Sequence, residues 1–237
     1  MIRFVAAAAL TFGFVASAAA HHVWIDTDAS GTSHLRFGEF GENLREVSGK
    51  LLDRIQPTAR LVTSSGETAI EVKRGEDGIA LPGRIGPGES LLAEDTRYPV
   101  SERKSGDTVT RSVYHPAARF VSDLSARKAV LALDVVPTAE PGRFRVTLRD
   151  APLAKAKVKV IAASGWEREV RSDEAGLFQA SFPWKGTYAI EVHHADRTPG
   201  NRAGQAYDLT NFVTTLTFVQ SIGLEAPPPP PPAKPNG

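Results

Sequence analysis

The chain contains no cysteine among its 237 residues. Disulfide bonds, thiolate nucleophiles and cysteine-based zinc or iron–sulfur sites are therefore excluded. An excess of one charge sign is also missing, because 28 Lys and Arg residues stand against 27 Asp and Glu residues, giving a formal net charge of +1. Without a basic field, the chain is not expected to bind nucleic acid or an anionic membrane surface.

Motifs of several enzyme classes are absent as well. The sequence has no Gly-x-Ser-x-Gly nucleophile elbow, no phosphate-binding loop and no His-Glu-x-x-His zinc motif. Neighbouring carboxylates such as Asp173 and Glu174 lie in a predicted turn, where solvation is favoured over paired acid–base chemistry. We therefore expect a protein that is not an enzyme.

The first twenty residues have the pattern of a secretory signal peptide. Arg3 supplies a short positive region, and the apolar segment 4–15 is too short to span a bilayer as a mature helix. Small residues at 16–18 and at 18–20 offer two cleavage positions. We expect residues 1–20 to be removed, leaving a periplasmic or secreted chain without stable membrane insertion. An uncleaved amino-terminal anchor is the alternative.

Two histidines directly follow these cleavage positions. Cleavage after Ala20 would place His21 at the amino terminus, where its α-amine and imidazole could chelate Cu(II) with another imidazole as third ligand. Cleavage after Ala18 would give an Ala-Ala-His terminus, whose amine, two amides and imidazole form a square-planar set for Cu(II) or Ni(II). The alternative is that His21 and His22 form an ordinary solvated terminus.

Short alternating segments separated by turns predict an all-β chain, and 20 glycines with 17 prolines supply many turns. Residues 33–40 predict a strand, and residues 58–63 and 68–73 predict a hairpin around Ser-Ser-Gly. Pro116 interrupts a further apolar segment, which predicts an edge strand, a bulge or a break at that position.

A proline- and glycine-containing linker at 137–142 divides this pattern into two parts. We predict two consecutive Ig-like β-sandwich domains after the signal peptide, residues 21–137 and residues 138–222. Residues 223–237 contain six consecutive prolines. This tail is predicted to be polyproline II or disordered, with no fold of its own.

A second histidine pair, His193-His194, lies at the end of a predicted strand shortly before Asp196. Adjacent strand residues point to opposite faces, so one histidine of this pair can face a shared site while the other faces away. His115 precedes Pro116 and is expected to be extended. The alternative for these histidines is a solvated surface. The candidate metal ligands are His21, His22, His115, His193, His194 and Asp196.

Several short motifs follow one another in a set order. The chain has His-His-Val-Trp at 21–24 after an alanine-rich signal, Tyr-His-Pro-Ala-Ala at 114–118, and an apolar strand that ends at Pro137. This order resembles the NikM-like family of exported bacterial proteins associated with nickel and cobalt uptake. The tyrosine strand departs from the lysine-containing form of that family, because His115-Pro116 stands in its place.

The terminal part resembles the Ig-like module of carboxypeptidase-regulatory and Cna-B type. The matching segments are Ser-Asp-Glu-Ala-Gly-Leu-Phe at 172–178 and Gly-Thr-Tyr at 186–188. Together the two resemblances cover residues 18–222. They imply a two-module, all-β exported protein that handles a divalent metal.

Three functions remain open at this point. The first is a periplasmic protein that binds nickel, cobalt or copper and delivers it, with a membrane transporter component as partner. The second is a non-catalytic structural or adhesive Ig-like extracellular module. The third is a copper oxidase of the histidine-brace kind acting on polysaccharide, which needs His21 at the terminus, a second histidine opposite it and a flat aromatic surface.

Overall fold

The computed structural model describes residues 21–28 and 30–236. Strands make up 53% and helical turns 3%, which confirms the predicted all-β class and a β-sandwich-like arrangement of several sheets. The predicted signal peptide, residues 1–20, lies outside the described residues. Within the described ranges, no helix has the length and hydrophobicity needed to cross a membrane.

The described residues form twenty strands and two short 3₁₀ turns. The strands of the first half are β1 (His22–Thr27), β2 (Ser33–Glu39), β3 (Leu44–Arg45), β4 (Thr58–Thr63), β5 (Gly66–Ile70), β6 (Lys73–Arg74), β7 (Ile79–Leu81), β8 (Ser90–Glu94), β9 (Val100–Ser105) and β10 (Thr108–Val121). Those of the second half are β11 (Leu133–Pro137), β12 (Arg143–Leu148), β13 (Ala151–Pro152), β14 (Lys157–Ala162), β15 (Glu167–Arg171), β16 (Leu177–Gln179), β17 (Gly186–Asp196), β18 (Gly200–Arg202), β19 (Gln205–Tyr207) and β20 (Leu209–Gln220). The 3₁₀ turns are Phe40–Glu42 and Leu51–Arg54.

The largest sheet has nine strands in the order β15-β14-β17-β20-β10-β8-β4-β5, with β9 also paired to β10. Its central pair, β10 and β20, is parallel, with Ser112 opposite Leu209 and Phe120 opposite Thr217. Strands β4 to β10 belong to the predicted first domain, and β14 to β20 belong to the second. One continuous sheet therefore runs through both predicted domains.

Two smaller sheets cover opposite faces of this large sheet. Ala118 and Thr215 are paired and share one face, where β1 and β2 of the five-stranded sheet pack. Arg119 and Leu216 share the other face, where β11 and β12 of the four-stranded sheet pack. A separate hydrophobic cluster lies between the large sheet and each of the two smaller sheets. The first cluster comes from residues 21–137 and the second largely from residues 138–222.

Pro116 lies inside β10, where the sequence predicts an edge, a bulge or a break. Strand β9 pairs with β10 as far as Val113, and β8 pairs with it only from Ala117 onward. The Pro116 carbonyl accepts a hydrogen bond from Asp95 N–H at 3.0 Å, so the missing N–H of Pro116 faces the gap between β9 and β8. The other edge of β10 keeps its pairing with β20, since Pro116 stands opposite Val213. The proline is tolerated because no ladder hydrogen bond requires its nitrogen.

Threonine side chains of β20 fix strand β1 to the large sheet. Thr215 Oγ1 donates to the Val23 carbonyl at 2.8 Å, and Thr217 Oγ1 donates to the Ile25 carbonyl at 2.6 Å. Both threonines are buried, so these bonds satisfy main-chain acceptors that water does not reach. The start of β1, and with it His21, is therefore held at a defined place on the sheet.

We expect Thr217→Val to lower the free energy of unfolding by about 1–3 kcal/mol, because the buried Ile25 carbonyl loses its donor. Thr214→Val is the matched control: Thr214 is equally buried on the same strand, and its hydroxyl has no partner within the described part of the chain. That control should be neutral or stabilising. Urea unfolding followed by tryptophan fluorescence measures both variants, and equal losses would contradict the assigned role of the Thr217 hydroxyl.

The proline-rich tail lies along the folded body, where the sequence predicts polyproline II or disorder. The Leu224 N–H donates to the Pro183 carbonyl and the Leu224 carbonyl accepts from Lys185 N–H, both at 2.9 Å. Further along, Ala233 N–H donates to the Asn43 carbonyl at 3.3 Å. Prolines favour an extended backbone before any contact forms, so docking orders little additional chain.

Candidate functional site

His21 directly precedes β1 and is held on three sides. Its Nε2 lies 2.6 Å from Glu46 Oε1, and its Nδ1 lies 3.7 Å from Glu39 Oε1. The Tyr114 hydroxyl donates to the His21 carbonyl at 2.7 Å. Burial raises the pKa of the Tyr114 phenol, which keeps this donor protonated. Only 18% of the His21 side chain is exposed, so the ring is not freely solvated.

A tight turn brings the two acidic partners of His21 together. Glu39 ends β2, the chain makes a 3₁₀ turn at Phe40–Glu42, and Glu46 follows β3. The turn needs a glycine at position 38, because a Cβ there would lie 2.2 Å from the Leu44 carbonyl oxygen and φ is +143°. This close approach of β3 to β2 places Glu46 beside the ring of His21.

Glu46 is fully buried and carries one satisfied and one unsatisfied oxygen. Oε1 contacts His21 Nε2, whereas Oε2 has no hydrogen-bond partner among residues 21–28 and 30–236. A buried carboxylate oxygen without a partner is costly unless a cation or a water satisfies it. A cation close to His21 could therefore satisfy the Oε2 atom of Glu46.

The contacts of the two ring nitrogens of His21 suit a metal ligand. Donation from Nε2 to Glu46 leaves the lone pair on Nδ1, the arrangement in which a carboxylate orients a ligating imidazole. The Nδ1 to Glu39 Oε1 separation of 3.7 Å is too long for a hydrogen bond. It fits two ligands of one ion, each about 2.0–2.2 Å from the metal. The residues present therefore fit a transition metal at Nδ1.

Side chains alone do not complete such a site. No group of three His, Asp or Glu side chains in the described ranges is arranged to hold a metal ion. A metal at His21 would depend on a main-chain nitrogen, and the α-amine that the predicted cleavage before His21 would create is one such group. That amine and Nδ1 belong to one residue and can chelate together.

His22 points to the other side of β1 and is bound at both ring nitrogens. Its Nδ1 lies 2.9 Å from Glu191 Oε2, and its Nε2 accepts the Phe40 N–H at 3.2 Å. Accepting at Nε2 requires the tautomer with the proton on Nδ1, which then donates to Glu191. Neither nitrogen has a free lone pair. Both nitrogens of His22, which the sequence predicts as a metal ligand, are therefore bonded to protein groups in this structure.

Glu191 connects His22 to His193. Glu191 is buried in β17, and its Oε1 lies 2.6 Å from His193 Nε2. Burial alone would raise the pKa of Glu191, but the two imidazoles bonded to it lower the pKa of this carboxyl well below its usual range. His22 of the first predicted pair and His193 of the second pair are thus bonded to the same carboxylate.

We expect His22→Ala to lower the free energy of unfolding by about 2–4 kcal/mol, because it opens a buried site and removes a partner of both Glu191 and the Phe40 N–H. His193→Ala is the matched comparison, since it loses a bond to the same carboxylate from a side chain that is 39% exposed. Its expected cost is below about 1 kcal/mol. Chemical denaturation measures both, and equal costs would contradict the structural role of His22.

The second member of the second pair faces away from this site. Successive residues of β17 alternate between faces, so His194 and Asp196 lie on the face opposite His193. The Asp196 carboxylate pairs with Arg149 at 2.6 Å. Both predicted ligands are therefore separated from His21 and His22 by the thickness of the sheet.

His115 lies on that same opposite face. Phe212 of β20 stands between His115 of β10 and His194 of β17 in the sheet register. His115 Nε2 lies 3.1 Å from Glu94 Oε2, and Arg60 binds the other oxygen of Glu94 at 2.6 Å. Burial alone would raise the pKa of Glu94, but His115 and Arg60 lower it. His115 is thus a partner of a half-buried carboxylate away from His21.

The acidic partners were missed by sequence reasoning. Glu191 stands two residues before His193, so the strand alternation could have placed both on one face. Glu39 and Glu46 carry no local signal, because their position depends on the turn between β2 and β3. Tyr114 appeared only as part of a motif.

The NikM-like resemblance stays a prediction, as does the Ig-like resemblance of the terminal part. No protein-family model, curated protein or solved structure matches the chain.

Proposed function

We propose that the mature protein binds a divalent transition metal at His21 and takes part in metal uptake or delivery outside the cytoplasm. The observation that carries this proposal is the 2.6 Å contact between His21 Nε2 and the buried carboxylate of Glu46. It fixes the ring of a residue next to the predicted cleavage position, with Nδ1 facing Glu39. The α-amine, Nδ1 and the Glu39 carboxylate then form the ligand set.

Nickel, cobalt and copper are the candidate metals. A set with two nitrogens favours Cu(II) over Ni(II) and Co(II) by intrinsic affinity, so selection in the cell would follow metal supply. Delivery implies a partner, for which a membrane transporter component is the candidate. The unsatisfied Oε2 of Glu46 supports a cationic ligand near this place.

The two hydrophobic clusters support two Ig-like modules that share one sheet.

A histidine-brace oxidase needs a second imidazole opposite the terminal one, whereas Nδ1 of His21 faces the carboxylate of Glu39. That contact supports binding and delivery over oxidation. A purely structural or adhesive module is the function that remains if no metal binds.

The test compares two starting points of the same chain. One begins at His21, and the other begins at Ser17, which moves the amine four residues away from the ring. We expect stoichiometric binding of Cu(II) or Ni(II) by the first chain in calorimetry, and an affinity lower by at least about tenfold in the second. A chain beginning at Ala19 tests the alternative Ala-Ala-His terminus.

Intact-mass measurement of the secreted protein identifies the natural starting residue. A natural start at residue 25 or later, or equal metal affinity of the chains that begin at His21 and Ser17, would reject the proposed site.

A further inference from the structure

Asn236 of the proline-rich tail contacts the carboxylate that holds His21. The Asn236 N–H donates to Glu46 Oε1 at 3.2 Å, and the Asn236 side-chain amide donates to the same oxygen at 3.0 Å. That amide also lies 3.2 Å from His21 Nε2. Asn236 therefore binds the same carboxylate oxygen that orients the His21 ring.

The middle of the tail is attached at Asn43, beside the same turn. The Asn43 side-chain amide donates to the Pro230 carbonyl at 2.9 Å, and its main-chain carbonyl accepts from Ala233 N–H. Asn43 has a φ of +49°, a conformation that asparagine tolerates better than most residues. Gly165 lies below Pro230, where an added Cβ would be 3.8 Å from the proline ring. The body thus offers the tail a defined path toward His21.

The contact pattern is that of a strap lying on the surface. Pro230, Ala233 and Pro235 are half-buried, while Pro231, Pro232 and Lys234 are exposed. The spacing of three between Pro230 and Ala233 matches the threefold repeat of polyproline II, so one edge of the tail faces the body. A run of prolines offers no N–H donors, and the attachment depends on few hydrogen bonds. Segments held this way open without unfolding the sheets.

We propose that residues 226–236 form a removable cover over His21, which slows the entry and release of the metal at this site. The metal part of this inference rests on the proposed function; the covering of His21 does not. An extended proline segment loses little conformational freedom on closing, so it can close again after each opening. Asn236 acts as a positioning residue, because it contacts the Glu46–His21 pair.

The first measurement tests whether the tail covers His21, and it requires no metal. Diethyl pyrocarbonate labels accessible histidines, and mass spectrometry gives the rate at each ring. We expect the His21 ring to react about tenfold faster in a chain ending at Glu225, because the reaction no longer waits for the tail to open. His34, which lies near the start of β2 and is bonded to Asp28, is the internal reference and should not change.

A point variant keeps the test valid if truncation disturbs folding. Asn236→Ala should raise His21 labelling in the same direction, and Lys234→Ala, at an exposed position of the same tail, should not. Transfer of bound Cu(II) from the mature chain to a chelator should also accelerate in the truncated chain.

The outcomes separate the two proposals. Faster labelling of His21 together with faster Cu(II) transfer supports both. Faster labelling in chains that bind neither Cu(II) nor Ni(II) supports the cover and rejects the metal function. Unchanged labelling of His21 in both the truncated chain and Asn236→Ala overturns the cover.

Discussion

Asp134→Ala is expected to lower the free energy of unfolding by about 3–5 kcal/mol, because it leaves a buried guanidinium without its counter-charge. Arg119 and Asp134 are 1% and 0% exposed at their side chains. Asp134 Oδ2 accepts from Arg119 Nη2 at 2.6 Å and also from the N–H groups of Val130 and Leu131. The carboxylate therefore holds β10 and the segment before β11 together, and alanine cannot replace either contact.

The matched control is an ion pair on the surface. Glu169 pairs with Lys157 at 2.7 Å, and both side chains are exposed, so Glu169→Ala should cost far less than Asp134→Ala. Urea denaturation of both variants gives the comparison. If the two substitutions cost the same, the Arg119–Asp134 pair does not stabilise the fold as its burial indicates.

Glu46→Gln is expected to weaken metal binding at His21 by about 10–100-fold, the usual effect of removing a carboxylate that orients a ligating histidine. Glutamine keeps the shape of Glu46 and removes its charge, so the ring keeps its place but loses the partner that makes Nδ1 a stronger donor. Calorimetric titration with Cu(II) of the chain beginning at His21 measures the change, and a melting curve checks that the variant is folded.

Glu94→Gln is the control for this prediction. Glu94 is another largely buried carboxylate bonded to a histidine, His115, but it lies on the opposite face of the sheet. Its neutralisation should leave Cu(II) affinity at His21 unchanged. A similar loss in both variants would indicate a general effect of charge or stability, and no loss in either would reject the orienting role of Glu46.

Local elements of the fold were predictable from local pattern. The alternating segment at 33–40 forms Ser33–Glu39, and the predicted hairpin forms Thr58–Thr63 and Gly66–Ile70. The placement of Pro116 was not predictable, because it depends on a gap between two strands that pair with β10 from different parts of the chain. The parallel pairing of β10 with β20 has no local signal, since its partners are almost a hundred residues apart.

In the candidate site too, local features were predictable from the sequence and long-range contacts were not. Residue type singled out the two histidine pairs, and strand alternation predicted that His193 and His194 face opposite sides, as the register places them. The partners of His21 could not be predicted, because Glu39 and Glu46 meet only through a tight turn. Asn236 reaches the site through a tail whose composition indicates no fold at all.

The parallel neighbours at the centre of the large sheet also affect how the chain acquires its structure. Strand β10 is fourteen residues long, and β20, its partner on one side, follows near the end of the chain. Until β20 is synthesised, one side of β10 is an open strand edge with unpaired N–H and C=O groups, which invites pairing with other chains. Such a late pairing between distant segments is also slow to form. The chain therefore depends most on protection from aggregation in the interval before its last long strand arrives.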